Sequence, residues 1–170
     1  MGICANTGRL NGSDGQKGAH FLQLCEGRGI PVIFLQNNSG GEEEEPYSYE
    51  TLKETAKFAH CSANLSVPKI AVNVGGLGGP HDLVSMCGPS FGARFLLSWP
   101  RARFSKQDLS PSSDPLECSA QYAASRCTID AVILPQETRA ALAKALQISM
   151  YDNSDKYVRR TAQQNSTLRI

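Results

Sequence analysis

The residues with the clearest capacity for chemistry are four glycines, Gly75, Gly76, Gly78 and Gly79, which follow directly on the apolar run Lys69 to Val74. Glycines at the end of a strand let the main chain approach a ligand closely. A helix beginning just beyond them presents unpaired backbone NH groups and the positive end of its dipole. Such an arrangement binds a phosphate or holds the oxyanion of an enolate. The spacing excludes two phosphate-binding classes. After Gly76 the order Leu77-Gly78-Gly79-Pro80 does not complete a Gly-x-Gly-x-x-Gly fingerprint, and no Gly-Lys-Ser/Thr follows. A plain tight turn is the competing reading of the same residues.

Other chemistry-bearing residues are scattered. Cys4, Cys25, Cys61, Cys87, Cys118 and Cys127 form no Cys-x-x-Cys pair, and four of them lie in apolar segments, which favours reduced, buried thiols. His20, His60 and His81 are equally dispersed. Only His60-Cys61 places two donors together, and as sequence neighbours on a helix they splay apart, so no metal site is expected. The run Glu42 to Glu45 ends at Pro46, and four adjacent carboxylates that repel one another read as a solvated loop rather than an acid/base pair.

The elements that must position the glycines follow from hydrophobic spacing. Ile3 to Ala5 is a short strand, and Asn6 to Gly15 a polar loop. Gln16 to Gly27 carries Ala19, Phe21, Leu22, Leu24 and Cys25 at helical spacing. Ile30 to Leu35 is an unbroken apolar run, the pattern of a strand covered on both faces. Tyr49 to Leu65 is helical, with Leu52, Ala56, Ala59 and Ala63 as its core stripe. Lys69 to Val74 is a strand, and a helix runs from Asp82 to Gly88. Arg94 to Trp99 and Ala102 to Phe104 are strand-like, and Ser105 to Glu117 is a loop. Ala131 to Leu134 is extended, and Pro135 to Met150 is an alanine-rich helix. Strand, turn and helix recurring in this way predict an α/β fold.

A length of 170 residues, 41% hydrophobic and 19% charged, suits one domain, here residues 1–150 followed by a polar, mobile tail at 151–170. A net charge of +1 provides no electrostatic attraction to nucleic acid or an anionic membrane. No run approaches the ~20 apolar residues of a membrane span, and the N-terminus matches neither a secretory signal nor an Arg-rich transit peptide. Asn6 stands where a myristoylation signal at Gly2 requires Ser or Thr. The expectation is a cytoplasmic or otherwise intracellular protein.

Longer blocks carry a resemblance. Gln16-Lys17-Gly18-Ala19-His20-Phe21-Leu22-Gln23-Leu24-Cys25 and Gly29-Ile30-Pro31-Val32-Ile33-Phe34-Leu35-Gln36-Asn37-Asn38-Ser39-Gly40 closely resemble the C-terminal domain of the carboxyltransferase beta subunit of methylcrotonoyl-CoA carboxylase. So do Val67-Pro68-Lys69-Ile70, Met86-Cys87-Gly88, Arg94-Phe95-Leu96, Trp99-Pro100-Arg101-Ala102-Arg103 and Asp130 to Arg139, in the family's order. The resemblance implies a crotonase-like fold of stacked β-β-α units, present here as a single incomplete domain. It also implies transfer of carboxyl from carboxybiotin to the γ-carbon of an unsaturated acyl-CoA. Biotin and acyl-CoA are then substrates, with no cofactor bound covalently. By that likeness, the NH groups of Gly78 and Gly79 form an oxyanion hole, and Ser39, Gly40, Gly75 and Gly76 border the biotin side. The acyl-CoA side belongs to the N-terminal domain of a partner subunit. The family is mitochondrial.

The chain departs from the family pattern at four places. The acyl-CoA-binding N-terminal domain is not part of the sequence. The family's Gly-Gly-Ser/Ala-Tyr-Gly becomes Gly75-Gly76-Leu77-Gly78-Gly79-Pro80-His81, one residue longer, and Pro80 has no NH to donate. Loss of one oxyanion donor costs ~100- to 1000-fold in rate. Ser39-Gly40-Gly41 leads into four glutamates where relatives have Thr-Gly-Phe, and residues 105–117 replace a longer helical excursion. Two readings follow. One is a degenerate half-domain, inactive alone, acting as a structural or interaction protein through self-association or docking in a larger assembly, with the helix Pro135 to Met150 as a contact surface. The other is an active component working with a biotin-carrying or acyl-CoA-binding carboxylase subunit. The residues favour the first.

Overall fold

A computed structural model describes residues 1–8, 10–38, 48–78, 86–88, 91–104, 116 and 118–151. Four strands, β1 (Gly2–Ala5), β2 (Val32–Asn38), β3 (Lys69–Gly78) and β4 (Phe95–Ser98), pair in parallel in chain order, and β6 (Ala131–Val132) adds to β4. The two-residue strand β5 (Arg103–Phe104) pairs with the far end of β3 in a second sheet. Helices α1 (Gly12–Gly27), α2 (Tyr49–Asn64), α3 (Ala120–Ser125) and α4 (Thr138–Tyr151) complete the described elements, α4 being entered through a 3-10 turn at Pro135–Glu137.

Helix α1 begins four residues earlier than its apolar spacing suggests. Asn11 Oδ1 accepts the Asp14 NH at 2.9 Å and Asp14 Oδ2 accepts the Asn11 NH at 3.1 Å. This capping box satisfies two of the helix's free donors and outweighs the weak propensity of Gly12 and Gly15. Gly15 has a packing reason to be there: a Cβ on it would lie 2.9 Å from the Glu54 main chain, so α1 and α2 touch backbone to backbone.

On α2 the periodicity is as expected but the phase is not. Phe58, Cys61 and Ser62 are buried, whereas Leu52 is 52% exposed and Ala56 and Ala63 face solvent. The larger ring of Phe58 removes more apolar area from water than the alanine stripe would, so it decides which face turns inward. Helix α3 was not anticipated, because six residues are too few for periodicity to register; Ser119 caps it by accepting the Tyr122 NH at 3.1 Å.

The strand-then-turn reading of β3 needs correction. Gly75, Gly76 and Gly78 do not form a turn; they continue the strand. A register shift between Gln36 and Asn37 realigns the ladder, so that Asn37 faces Gly75 and Asn38 faces Gly76, after which Leu77 and Gly78 pair with Arg103 and Phe104. Strand β3 thus passes from one sheet into the other, and β2 lengthens to Asn38 to accompany it.

Helices α1 and α2 cover one sheet face over Val32, Phe34, Ala71 and Leu96. Helix α4 covers the other, with Leu142, Ala145 and Leu146 against Ile33 and Ile70. Strand β2 is therefore buried on both faces, as its apolar run requires. Trp99 Nε1 donates to Thr138 Oγ1 at 2.8 Å and ties β4's exit to the start of α4. The expected helix at Asp82 to Gly88 falls outside the described residues up to residue 85, with Met86 helical. Also outside lie the expected acidic loop, most of the loop 105–117 and the tail from residue 152.

Candidate functional site

The carboxyl ends of β1, β2 and β3 meet at one place, which is where open parallel sheets present residues to a ligand. Asn37 is the junction. Its NH donates to Asn6 Oδ1 at 2.9 Å, its carbonyl accepts the Gly8 NH at 2.8 Å, and Asn6 Nδ2 closes the loop onto the Gly8 carbonyl at 2.8 Å. On the other side Asn37 faces Gly75, where a Cβ would lie 3.0 Å from Asn37 Oδ1. Glycine at position 75 is what allows this asparagine to sit against the strand.

One residue back, a polar row crosses the sheet. Gln36, Asn73 and Ser98 occupy matching positions on β2, β3 and β4, and all three are buried. Gln36 Nε2 donates to the Cys87 carbonyl at 2.5 Å, and Ser62 Oγ, from α2, donates to the Met86 carbonyl at 2.6 Å. Gln36 Oε1 and Asn73 Nδ2 have no partner among the described residues. An unsatisfied buried polar atom costs about 1–3 kcal/mol, so this row is held against a stability penalty.

At the opposite end of β3, the Lys69 ammonium is enclosed by three carbonyls, donating to Ser62 O at 2.9 Å, Ala63 O at 3.4 Å and Phe91 O at 2.5 Å. Burial lowers its pKa, opposed by the nearby Cys87 and Glu26. Its role is to close the C-terminal end of α2, where the carbonyls are otherwise unpaired.

A cavity of about 520 Å³ opens beside the β1 end, lined among others by Cys4, Asn6, Asp14, Lys17, Phe21 and Met86. Burial pushes the Cys4 thiol up to about 11, with Cys25 adding to the rise, and burial pushes the Cys87 thiol up to about 11 as well. Both thiols are protonated at neutral pH and are poor nucleophiles. Asp14 and Lys17 are exposed, and Asp14 is engaged in the α1 cap. Among the described residues no three of His, Cys, Asp and Glu cluster as a metal site would need. The polar groups that the described residues bring to this end of the sheet are backbone NH groups and side-chain amides, which can polarise a carbonyl.

Of the expected site residues, Gly75, Gly76 and Gly78 lie on the last stretch of β3, and Gly75 and Gly76 are placed against the end of β2. Ser39, Gly40 and Gly79, with Pro80, lie outside the described residues. Asn6, Gln36, Asn37 and Asn73 had no expected role. The available signal was weak: asparagine or glutamine where an apolar strand ends, a pattern that also marks ordinary turns.

A family profile described as a carboxyl transferase domain matches residues 1–106. The mitochondrial methylcrotonoyl-CoA carboxylase beta chain of Dictyostelium discoideum is 34% identical over 88% of this chain and 31% of its own length. A biotin-dependent 3-methylcrotonyl-coenzyme A carboxylase beta1 subunit of Mycobacterium tuberculosis is 42% identical over 62% of this chain and 20% of its own. Among solved structures, the beta subunit of Pseudomonas aeruginosa geranyl-CoA carboxylase superposes with a TM-score of 0.74 at 23% identity, over 87% of this chain and 34% of that one. The transcarboxylase 12S hexamer, solved with hydrolysed methylmalonyl-coenzyme A bound, gives 0.75 at 23%, over 88% and 33%. The structural likeness bears out the crotonase-like fold, present here as a partial domain. The chain spans between about a fifth and a third of the length of the relatives it matches.

Proposed function

Because the chain belongs to the carboxyl transferase family, in its acyl-CoA carboxylase beta-subunit branch, we propose that it forms the biotin-side half of a composite carboxyl-transfer site, inert alone and completed by an acyl-CoA-binding domain of another subunit. The observation that carries this reading is the run of β3 through Gly75, Gly76 and Gly78, seated on Asn37 and paired onward to β5. It keeps main-chain groups at the sheet's carboxyl end; the reading takes Gly78 and Gly79 as the donors, and Ser39 and Gly40 as biotin-side residues, from the family likeness alone.

In the reaction, the C–N bond of carboxybiotin breaks and its electron pair stays on the ureido nitrogen, with charge spread onto the ureido oxygen. The carboxyl carbon bonds to the γ-carbon of the acyl group, and the proton released there ends on the ureido nitrogen. NH groups aimed at the ureido oxygen stabilise that developing charge. The test is carboxyl transfer to methylcrotonoyl-CoA by the purified chain, alone and with an N-terminal-type partner domain. Turnover only in the mixture is the expected result. No turnover in either sample overturns the catalytic role.

A second reading, a degenerate relative with an assembly role, is favoured by Pro80, which removes a donor where the family has one. The exposed Ile148, Met150 and Tyr151 at the end of α4 provide apolar area for docking onto a larger array.

A further inference from the structure

We propose that Gln36 and Ser62 are positioning residues for the carboxyl end of β3, where they bind the consecutive carbonyls of Cys87 and Met86 and hold residues 86–88 against the β2 end that faces Gly75. The proposal rests on the carboxyl-transfer reading of that strand end. Four observations support it. Both side chains are fully enclosed, Ser62 at 0% and Gln36 at 1% exposure, and both donate to adjacent peptides of one short segment, at 2.6 and 2.5 Å. They come from different elements, α2 and β2, so the grip does not depend on either alone. Gln36 lies immediately before the register shift that brings Asn37 opposite Gly75, so one strand end touches both Gly75 and Cys87. Gly78 is held by its pairing with Phe104, and Met86 by Ser62.

The energetics argue against a merely stabilising role. Gln36 leaves its own Oε1 without a partner among the described residues, and an apolar side chain of the same length would fill the space without that penalty. What an apolar side chain cannot do is hold the Cys87 carbonyl. A further link runs through Lys69, which donates to the Ser62 carbonyl, so the residue gripping Met86 is itself tied to the start of β3. Ser62 thus ties the start of β3 to the Met86 carbonyl.

The experiment uses the full chain with its N-terminal-type partner domain and compares Gln36→Met, Ser62→Ala and Ser62→Thr. Gln36→Met exchanges one unsatisfied buried atom for another, so the melting temperature stays close to that of the parent. The expected result is a kcat lowered about 100-fold in Gln36→Met and Ser62→Ala, as for a small displacement of reacting groups. The KM for acyl-CoA stays within about twofold, and Ser62→Thr, which keeps the hydroxyl, recovers most of the rate. Unchanged kcat in both variants overturns the proposal, and so does a loss of kcat that follows a loss of fold. If the parent mixture shows no turnover, the carboxyl-transfer reading fails separately. Amide hydrogen exchange on the chain alone then decides: faster exchange confined to residues 75–78 and 86–88 in Gln36→Met supports the grip, and an unchanged pattern overturns it.

Discussion

Cys4 and Cys87 are thiols whose folded pKa values of about 11 lie above the ordinary 9.0. A raised thiol pKa contributes stability that is fully present below pH 9 and is lost as pH rises towards 11, because the unfolded chain releases its proton first. Each contributes on the order of 2 kcal/mol across that window. The expected outcome is a urea midpoint that falls between pH 8 and 10.5, and falls less in Cys4→Ala. Lys69 works in the opposite sense. Its pKa is lowered, so the unfolded chain binds more protons just below the ordinary lysine value, and its contribution grows as pH rises there. A second test at this scale concerns Cys127, exposed and held at φ 56 at the end of α3. Cys127→Gly relieves that left-handed conformation and raises stability by about 0.5–1 kcal/mol in denaturant unfolding. Only some of this was legible in the sequence. Burial of most cysteines followed from their apolar neighbours, whereas the left-handed Cys127 and the carbonyl cage around Lys69 arise from chain segments distant in sequence.

The contact between α1 and α2 makes a sharper pair of predictions. Gly15→Ala drives a methyl to within 2.9 Å of the Glu54 main chain, and backbone cannot step aside as a flexible side chain can. A loss of about 1–3 kcal/mol is expected in urea unfolding. Gly27→Ala, on the same helix with nothing within 4 Å, gains about 0.5–1 kcal/mol through helix propensity alone. Opposite signs from one chemical change on one helix separate packing from propensity. For β3, Gly75→Ala places a Cβ 3.0 Å from Asn37 Oδ1 and pushes that side chain off the strand. Carboxyl transfer in the reconstituted mixture should fall at least tenfold, read as kcat, with less than about 1 kcal/mol change in stability. The location of β3 was evident from the apolar run after Pro68. Its length was not, because the pairing that carries it to Gly78 depends on a register shift in β2 and on a two-residue strand beyond Trp99.

At the scale of the whole molecule, the sheet buries β2 and β3 between α1 and α2 on one face and α4 on the other, and no helix among the described residues is long and apolar enough to cross a membrane. Edge strand β1 leaves Ile3 52% exposed, and α4 leaves Ile148 55% exposed. If α4 docks against another subunit, sedimentation of the chain with its partner domain shows a complex that Ile148→Lys weakens at least tenfold. An unchanged sedimentation profile assigns the contact elsewhere. The sequence by itself determined the fold class, the order of the main strands and helices, and the family, because hydrophobic spacing and the block from Gln16 to Gly40 are local properties that survive without coordinates. Only the tertiary structure decided which face of α2 turns inward, that Gly75 to Gly78 is strand, that Asn6 and Asn37 meet beside Gly75, and that Gln36 and Ser62 meet at Cys87 and Met86. Burial, register and hydrogen-bond partners depend on what the rest of the chain places opposite a residue, and no spacing along the chain encodes that.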